Sequence, residues 1–160
     1  MAYHKLLYFL FVCLVIAGCY SFSGSSLPAH IKSVCIPLCQ NETLKPGIAE
    51  AIHESVSNEF IRTNLLRVVD KNGDSELNIT VSEYKNEPYT FDINANVQQY
   101  KVDIVIETSF INVKNYKPIY QGKLHGIGIY DLASESEETG LQKAIKDITD
   151  AVVNNTVSGW

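Results

Sequence analysis

The chain has 160 residues, with 13 lysines and arginines against 18 aspartates and glutamates and a formal net charge of −5 at pH 7. This length fits a single domain. The acidic balance argues against nucleic acid as a partner, because neutralising phosphates needs a net basic surface.

The first eighteen residues have the layout of a secretory signal. Lys5 precedes an apolar run over residues 6–17, and Gly18 and Cys19 follow that run. About twelve apolar residues fall short of the roughly 20 that a membrane-spanning helix needs, so we predict a cleaved signal peptide over residues 1–18. An uncleaved anchor in which Cys19 is an ordinary apolar residue is the alternative.

The sequence Ala17-Gly18-Cys19 resembles a bacterial lipobox. This resemblance implies that the Cys19 thiol receives a diacylglyceryl group and that acylation of the new amino group follows cleavage. Two or more acyl chains hold a protein stably at a membrane, whereas one binds only marginally. Residues 19–29 are rich in Ser and Gly, which predicts a lipidated flexible tether. Residues 30–160 then form one domain.

Two cysteines remain for the folded domain, Cys35 and Cys39. An extended segment would hold them about 13 Å apart, too far for a disulfide, although a turn at Pro37 could shorten that distance. The other interpretation is that both are small buried hydrophobes. A metal site with His30 has no support, because the spacing matches no usual ligand pattern.

The first half of the domain indicates a strand, a helix and a second strand. Short β runs at residues 31–38 and 66–70 flank a helix that carries an apolar stripe, has Asn41 or Thr43 as its cap and ends near Asn64. This order favours a crossover unit with parallel strands. In the turn that follows, Gly73 is expected to supply a positive φ.

The second half alternates with a period of two. Strands are predicted at residues 77–81, 89–91, 100–110 and 119–130, with a polar interruption over residues 83–88. Three glycines in the last strand are expected to make room for a helix. The final helix begins with a capping box of Ser134 and Glu137. The fold class is α+β, with two helices packed on one face of a four-stranded, mainly antiparallel sheet.

The sequence offers no recognisable catalytic site. It has no nucleophile elbow, no phosphate-binding loop and no clustered nucleophile, histidine and carboxylate. We therefore predict a protein that is not an enzyme and needs neither cofactor nor metal.

The sequence does offer a binding surface of lysines among tyrosines. Lys85 and Lys101 accompany Tyr84, Tyr89 and Phe91 near one hairpin, and a second group near another hairpin tip consists of Lys114, Tyr116 and Lys117. Ammonium groups pair with phosphate and aromatic rings cover hydrocarbon, so these four lysines are candidates for binding a phosphorylated lipid. Solvated loops with tyrosines at strand ends are the alternative.

The order of short motifs along residues 19–160 resembles the LptE family, lipopolysaccharide-assembly lipoproteins of Gram-negative outer membranes. The matching segments follow the lipobox in order: Tyr20-Ser21-Phe22-Ser23-Gly24, Leu27-Pro28, His30-Ile31-Lys32-Ser33-Val34, Ile36-Pro37, Asn41-Glu42-Thr43, Pro46-Gly47, Tyr84, Asn86, Pro88-Tyr89 and Val157-Ser158-Gly159-Trp160.

The resemblance implies a non-enzymatic role and a fold of two helices on a four-stranded sheet. Members plug the lumen of the β-barrel LptD, help it assemble, and bind lipopolysaccharide, which places this chain on the periplasmic side of the outer membrane. The alternative is another periplasmic accessory lipoprotein, such as a pilotin or a secretion-system factor.

Overall fold

The computed structural model describes residues 27–157. The elements in this range are β1 (Ser33–Cys35), β2 (Gln40–Asn41), α1 (Ile48–Thr63), β3 (Arg67–Val69), β4 (Ser75–Phe91), β5 (Val97–Asn112), β6 (Lys117–Asp131) and α2 (Glu137–Val157). The predicted signal peptide, Cys19 and most of the tether lie outside the described residues.

The described strands form one mixed sheet of six strands in the order β3-β1-β4-β5-β6, with β2 beside β4. The long strands β4, β5 and β6 pair antiparallel, whereas β1 pairs in parallel with β3 and β4, and β2 in parallel with β4. The α+β class with two helices is confirmed, but the prediction of a four-stranded sheet was wrong. The short strands β1 and β3 lie within the β runs predicted at residues 31–38 and 66–70, whereas β2 has two residues, too few to show a period, and was not predicted.

The predicted interruption at residues 83–88 is also wrong, because β4 runs unbroken from Ser75 to Phe91. A bulge between Val81 and Glu83 shifts the register, and pairing with β5 then continues. Lys85 lies opposite Asp103 and Glu87 opposite Lys101. The polar run is therefore the exposed part of a strand with opposite charges across from it, which stabilises a sheet rather than ending it.

The core lies between one face of the sheet and the two helices. On β5 the alternation is as predicted, and Val102, Ile104, Ile106 and Phe110 are fully buried. The helices contribute their apolar stripes, which include Ile52, Val56 and Phe60 of α1 and Ala144, Ile148 and Val152 of α2. Each of these side chains larger than alanine contributes about 1.5–3 kcal/mol, so this layer holds the helices against the sheet.

Two glycines of β6 allow α2 to lie directly against the strand. A Cβ on Gly126 would lie 3.1 Å from the backbone nitrogen of Ile148, and a Cβ on Gly128 would lie 2.7 Å from that of Ala144. The prediction that glycines make room for a helix is confirmed at these positions. At Gly122 the nearest neighbour is instead the Tyr120 hydroxyl, at 2.9 Å.

The first helix is capped differently from the prediction. Gly47 occupies the N-cap position with φ 76°, and no side chain caps it. The Asn41 carboxamide instead accepts from the Thr43 N–H at 2.9 Å and donates to the Lys45 carbonyl at 2.9 Å, so it shapes the preceding loop. The predicted end at Asn64 is confirmed, since this residue is left-handed and donates to the Phe60 carbonyl.

The start of α2 and the turn before β4 also differ in detail. Ser136, not Ser134, caps α2 by accepting from the Thr139 N–H at 3.3 Å. In the turn, Asn72 carries the positive φ, 57°, rather than Gly73. Gly73 is needed for close packing, because a Cβ there would lie 2.9 Å from the Cys35 backbone nitrogen.

Candidate functional site

The structure separates the four candidate lysines into two pairs. Lys85 on β4 and Lys101 on β5 lie on the open face of the sheet, the face turned away from the helices. Lys114 lies in the β5–β6 turn, and Lys117 begins β6. Because the β4–β5 and β5–β6 turns are at opposite ends of these antiparallel strands, one ligand of ordinary size does not bridge both pairs.

The lysines of the open face already have carboxylate partners. Lys85 Nζ is 2.5 Å from Glu83, while Lys101 Nζ is 3.0 Å from Glu87 and 3.7 Å from Asp103. Hydrogen bonds to these acids raise the pKa of Lys85 and the pKa of Lys101. An anionic ligand would have to compete with the protein's own acids for both cations.

Tyr84 does not belong to the open face. Its hydroxyl donates to Glu137 at 2.6 Å on the helix side, and Lys45 Nζ lies 5.2 Å from its ring centroid. Burial, and then the bond to Glu137, raise the pKa of the Tyr84 hydroxyl. Tyr84 therefore links the sheet to the start of α2, while Tyr89 and Phe91 stay about half exposed near the β4–β5 turn.

The other pair lies in an ordered turn without acidic partners. The Lys114 N–H donates to the Asn112 carboxamide and the Lys117 N–H to the Asn115 carboxamide, both at 3.0 Å. Both lysine side chains are exposed, and Tyr116 between them is 77% exposed. No ion pair to either lysine occurs within residues 27–157.

The starts of β1 and β3 bring two further cations to the same end of the sheet. The Arg67 N–H donates to the Lys32 carbonyl at 3.0 Å, and the Lys32 N–H donates to the Asp74 carboxylate at 3.1 Å. The Asp74 carbonyl in turn accepts from the Val113 N–H, at the β5–β6 turn. We call this region the basic end of the sheet; it comprises His30, Lys32, Arg67, Lys114 and Lys117.

The acid within the basic end is held by polar groups. The Ser33 hydroxyl donates to the Asp74 carboxylate at 2.8 Å. This bond, then the Lys32 backbone N–H, lower the pKa of Asp74, and the charge of Lys114 adds to them. Asp74 thus joins three segments of the basic end and offsets only part of its positive charge.

Sequence reasoning missed Lys32 and Arg67 as part of a site. The predicted strand–helix–strand unit could have indicated that these two residues lie close together, because parallel neighbouring strands begin at the same end of a sheet. What could not be read was that the β5–β6 turn lies at that end, since this follows from the pairing of β1 with β4.

The remaining candidate features are the two cysteines, a metal site and a membrane-spanning helix. Both cysteines are free. The interpretation that both are small buried hydrophobes is confirmed for Cys39 but wrong for Cys35, which is partly exposed with its thiol 3.3 Å from the Asp70 carbonyl. No group of three or more His, Cys, Asp and Glu residues in the described range could hold a metal ion. Over the same residues, neither helix is long and apolar enough to cross a membrane.

Comparison with solved structures relates the fold to several bacterial proteins. Protein XCC0632 from Xanthomonas campestris matches with a TM-score of 0.59 at 11% identity, over 81% of this chain and 88% of that one. CT253 from Chlamydia trachomatis gives 0.57 at 11%, over 78% and 97%. The PelC dodecamer from Paraburkholderia phytofirmans gives 0.53 at 13%, over 78% and 88%. At these identities the likeness is one of fold alone.

Comparison at the sequence level identifies the family. A search of curated proteins found no match. The family model for LptE, described as lipopolysaccharide-assembly, matches residues 31–156, which span every strand and helix described above except the last residue of α2. The resemblance drawn from the short motifs is confirmed, and the chain belongs to the LptE lipopolysaccharide-assembly family.

Proposed function

We propose that this protein is an outer-membrane lipoprotein that occupies the lumen of an LptD-type β-barrel, helps that barrel assemble and takes part in moving lipopolysaccharide to the cell surface. The observation that carries the proposal is the family match over residues 31–156. The role requires a rigid body with binding surfaces and no catalytic centre.

The β4–β5 hairpin supplies one surface suited to a protein partner. Its side chains Tyr89, Phe91 and Ile93 are 50%, 58% and 101% exposed, and Leu132 nearby is 54% exposed. The Asp92 carboxylate accepts from the Asn94 and Asn96 N–H groups at 2.8 and 2.9 Å, so the loop that carries Ile93 is ordered. Grouped exposed apolar side chains mark interaction sites, which supports a barrel contact at this tip.

We place the lipopolysaccharide contact at the basic end, with Lys114 and Lys117 as the first residues to meet phosphate. Their side chains are exposed and have no carboxylate to displace among the described residues. Charge-assisted bonds from ammonium to phosphate are the stronger kind of hydrogen bond. Lys85 and Lys101 remain secondary candidates, since each must first release an acid.

The proposal includes a lipid anchor at Cys19, which lies outside the described residues. The described chain starts at Leu27, close to the basic end, where the His30 ring lies 2.9 Å from the Asn112 carboxamide. An anchor at Cys19 would therefore hold the basic end towards the membrane. Intact-mass measurement should show a mature N-terminus at residue 19 with added acyl mass, and Cys19→Ser should abolish that mass.

Depletion of the protein tests the proposed role. We expect lipopolysaccharide at the cell surface to fall and the barrel partner to lose its assembled form, because both depend on the plug. Normal surface lipopolysaccharide together with a secretion defect would contradict the proposal and favour a pilotin-type accessory lipoprotein.

A further inference from the structure

The outer edge of β6 is closed by side chains along only part of its length. The Ile127 N–H donates to Asp147 at 3.0 Å, the Ile129 carbonyl accepts from Lys143 at 2.9 Å, and the Asp131 N–H donates to Glu135 at 3.0 Å. Asp147 and Lys143 belong to α2, and Glu135 lies two residues before it. The helix segment thus satisfies the backbone groups that a further strand would otherwise bond.

The same edge is open a few residues earlier. Backbone groups of alternate residues point to the same side of an antiparallel strand, so those of Gln121, Lys123 and His125 point outward like those of Ile127. Gly122, between them, directs its carbonyl inward, where it accepts from the Thr108 hydroxyl at 3.0 Å. Nothing within residues 27–157 bonds the outward groups of Gln121, Lys123 and His125.

Open edges of this kind are templates for pairing, and proteins usually cover or blunt them. Pairing of β6 with β5 is regular from Gly122 to Asp131, so the open part is straight strand. Residues 121–125 span about 17 Å, enough for a strand of usual length. We propose that this edge docks an extended segment of another protein, which carries carboxylates on the Lys123 side and apolar residues on the helix side.

The side chains along the edge select the partner. On the open face they are Gln121, Lys123 and His125. Lys123 is 65% exposed and lies 2.8 Å from Glu107, and the His125 ring lies 3.6 Å from Asp103, so a carboxylate of the docked segment would have to replace these acids. On the helix side lie Gly122 and the half-buried Leu124, which an apolar side chain would cover. A second copy of this chain fits poorly, because the register that pairs residues 121–125 with themselves sets Lys123 against Lys123.

Amide hydrogen exchange, read by NMR on the full chain in detergent, tests the proposal. The probe is a synthetic peptide with blocked ends and the sequence Thr-Val-Glu-Val-Glu-Val-Thr. Bound peptide should slow exchange at Gln121, Lys123 and His125 about tenfold when about 90% of the protein is occupied. Exchange at Gly122 and Leu124 should not change, since their amides already bond to β5.

Two variants separate backbone pairing from charge. Lys123→Pro removes an outward N–H that β5 does not use, a position where strands tolerate proline, and it should abolish the protection. Lys123→Thr loses the same charge but keeps the N–H, and it should retain most of the protection. Asp147→Ala frees the Ile127 N–H and should extend the protected pattern to that residue.

Several results would overturn the proposal. These are no protection at saturating peptide, equal protection at odd and even positions, or undiminished binding by Lys123→Pro. Protection of the odd positions before peptide is added would show that this chain itself, or a second copy, already covers the edge.

Discussion

Glu137 joins three separate segments through one carboxylate. It accepts from Lys45 and from the Tyr84 hydroxyl, both at 2.6 Å, and it is the first residue of α2. The bond from Lys45, then that from Tyr84, lower the pKa of Glu137. A carboxylate also suits the positive end of a helix dipole.

We expect Glu137→Gln to lower the free energy of unfolding by about 0.5–1 kcal/mol at neutral pH, as for a partly exposed ion pair. A lowered folded-state pKa gives stability that is present above the unfolded value of about 4.3 and is lost as the pH falls through the folded value. Urea unfolding from pH 7 to pH 3 checks this. Wild type and variant should converge at the acidic end, and a constant difference would contradict the assignment.

The two thiols should differ in reactivity. Burial raises the pKa of the Cys39 thiol to about 12, so it stays protonated at neutral pH and is covered by the core. Cys35 is partly exposed, although burial also raises its pKa. Iodoacetamide should label Cys35 first, and Cys39 only in urea. Labelling of Cys39 at the rate of Cys35 in the native protein would contradict the structure.

Among single residues, the end of α1 was predicted correctly and the N-caps of both helices were not. Asn64 was predictable because asparagine tolerates the left-handed region that ends a helix. Ser134 and Ser136 both precede α2, and the capping-box spacing chose Ser134 because Glu137, not Thr139, has the required side chain. Glu137, the expected partner in the capping box, is instead taken by Lys45 and Tyr84, contacts that depend on the tertiary fold.

At the contact between β6 and α2, the backbone of the strand lies directly against the backbone of the helix. A Cβ on Gly128 would collide with the Gly140 carbonyl oxygen, and Gly140 itself packs against the Tyr130 ring. Neither the strand nor the helix can shift without disturbing the core beneath.

Gly128→Ala should therefore destabilise the protein by about 1–3 kcal/mol, the usual cost of overpacking. The matched control is Gly122→Ala in the same strand, where the new methyl group meets only the hydroxyl end of Tyr120. Thermal unfolding measures both. Equal losses for the two variants would show that the helix does not lie against Gly128 as described.

Strand prediction was most accurate where burial alternated and failed over the polar part of β4. Residues 100–110 could be predicted because alternate side chains are buried. Residues 83–88 of β4, where an interruption was predicted, have no fully buried side chain to reveal a period, and pairing with β5 defines the strand there instead. The two-residue β2 gives no local signal at all.

For the whole molecule, binding of an anionic ligand depends on where the charges lie more than on the net charge. The chain is acidic, yet the basic end gathers cations from segments far apart in sequence. The sequence could name Lys114 and Lys117, but the sheet order brings Lys32 and Arg67 beside them.

Removal of two charges tests this arrangement. The variant Lys114→Gln/Lys117→Gln should bind lipopolysaccharide about tenfold more weakly, since each exposed ion pair contributes up to about 1 kcal/mol. Lys123→Gln/Lys146→Gln loses the same charge from lysines paired to Glu107 and Asp150, and should bind nearly as wild type does. Equal weakening of binding in both variants would show that binding depends on net charge and not on the basic end.

The most direct test of the proposed role is purification of the tagged full-length protein from detergent-solubilised membranes, with the bound proteins quantified by mass spectrometry. We expect one large LptD-type β-barrel in stoichiometric amount, retained in high salt. Recovery of no barrel, or of a secretion-system protein in its place, would contradict it.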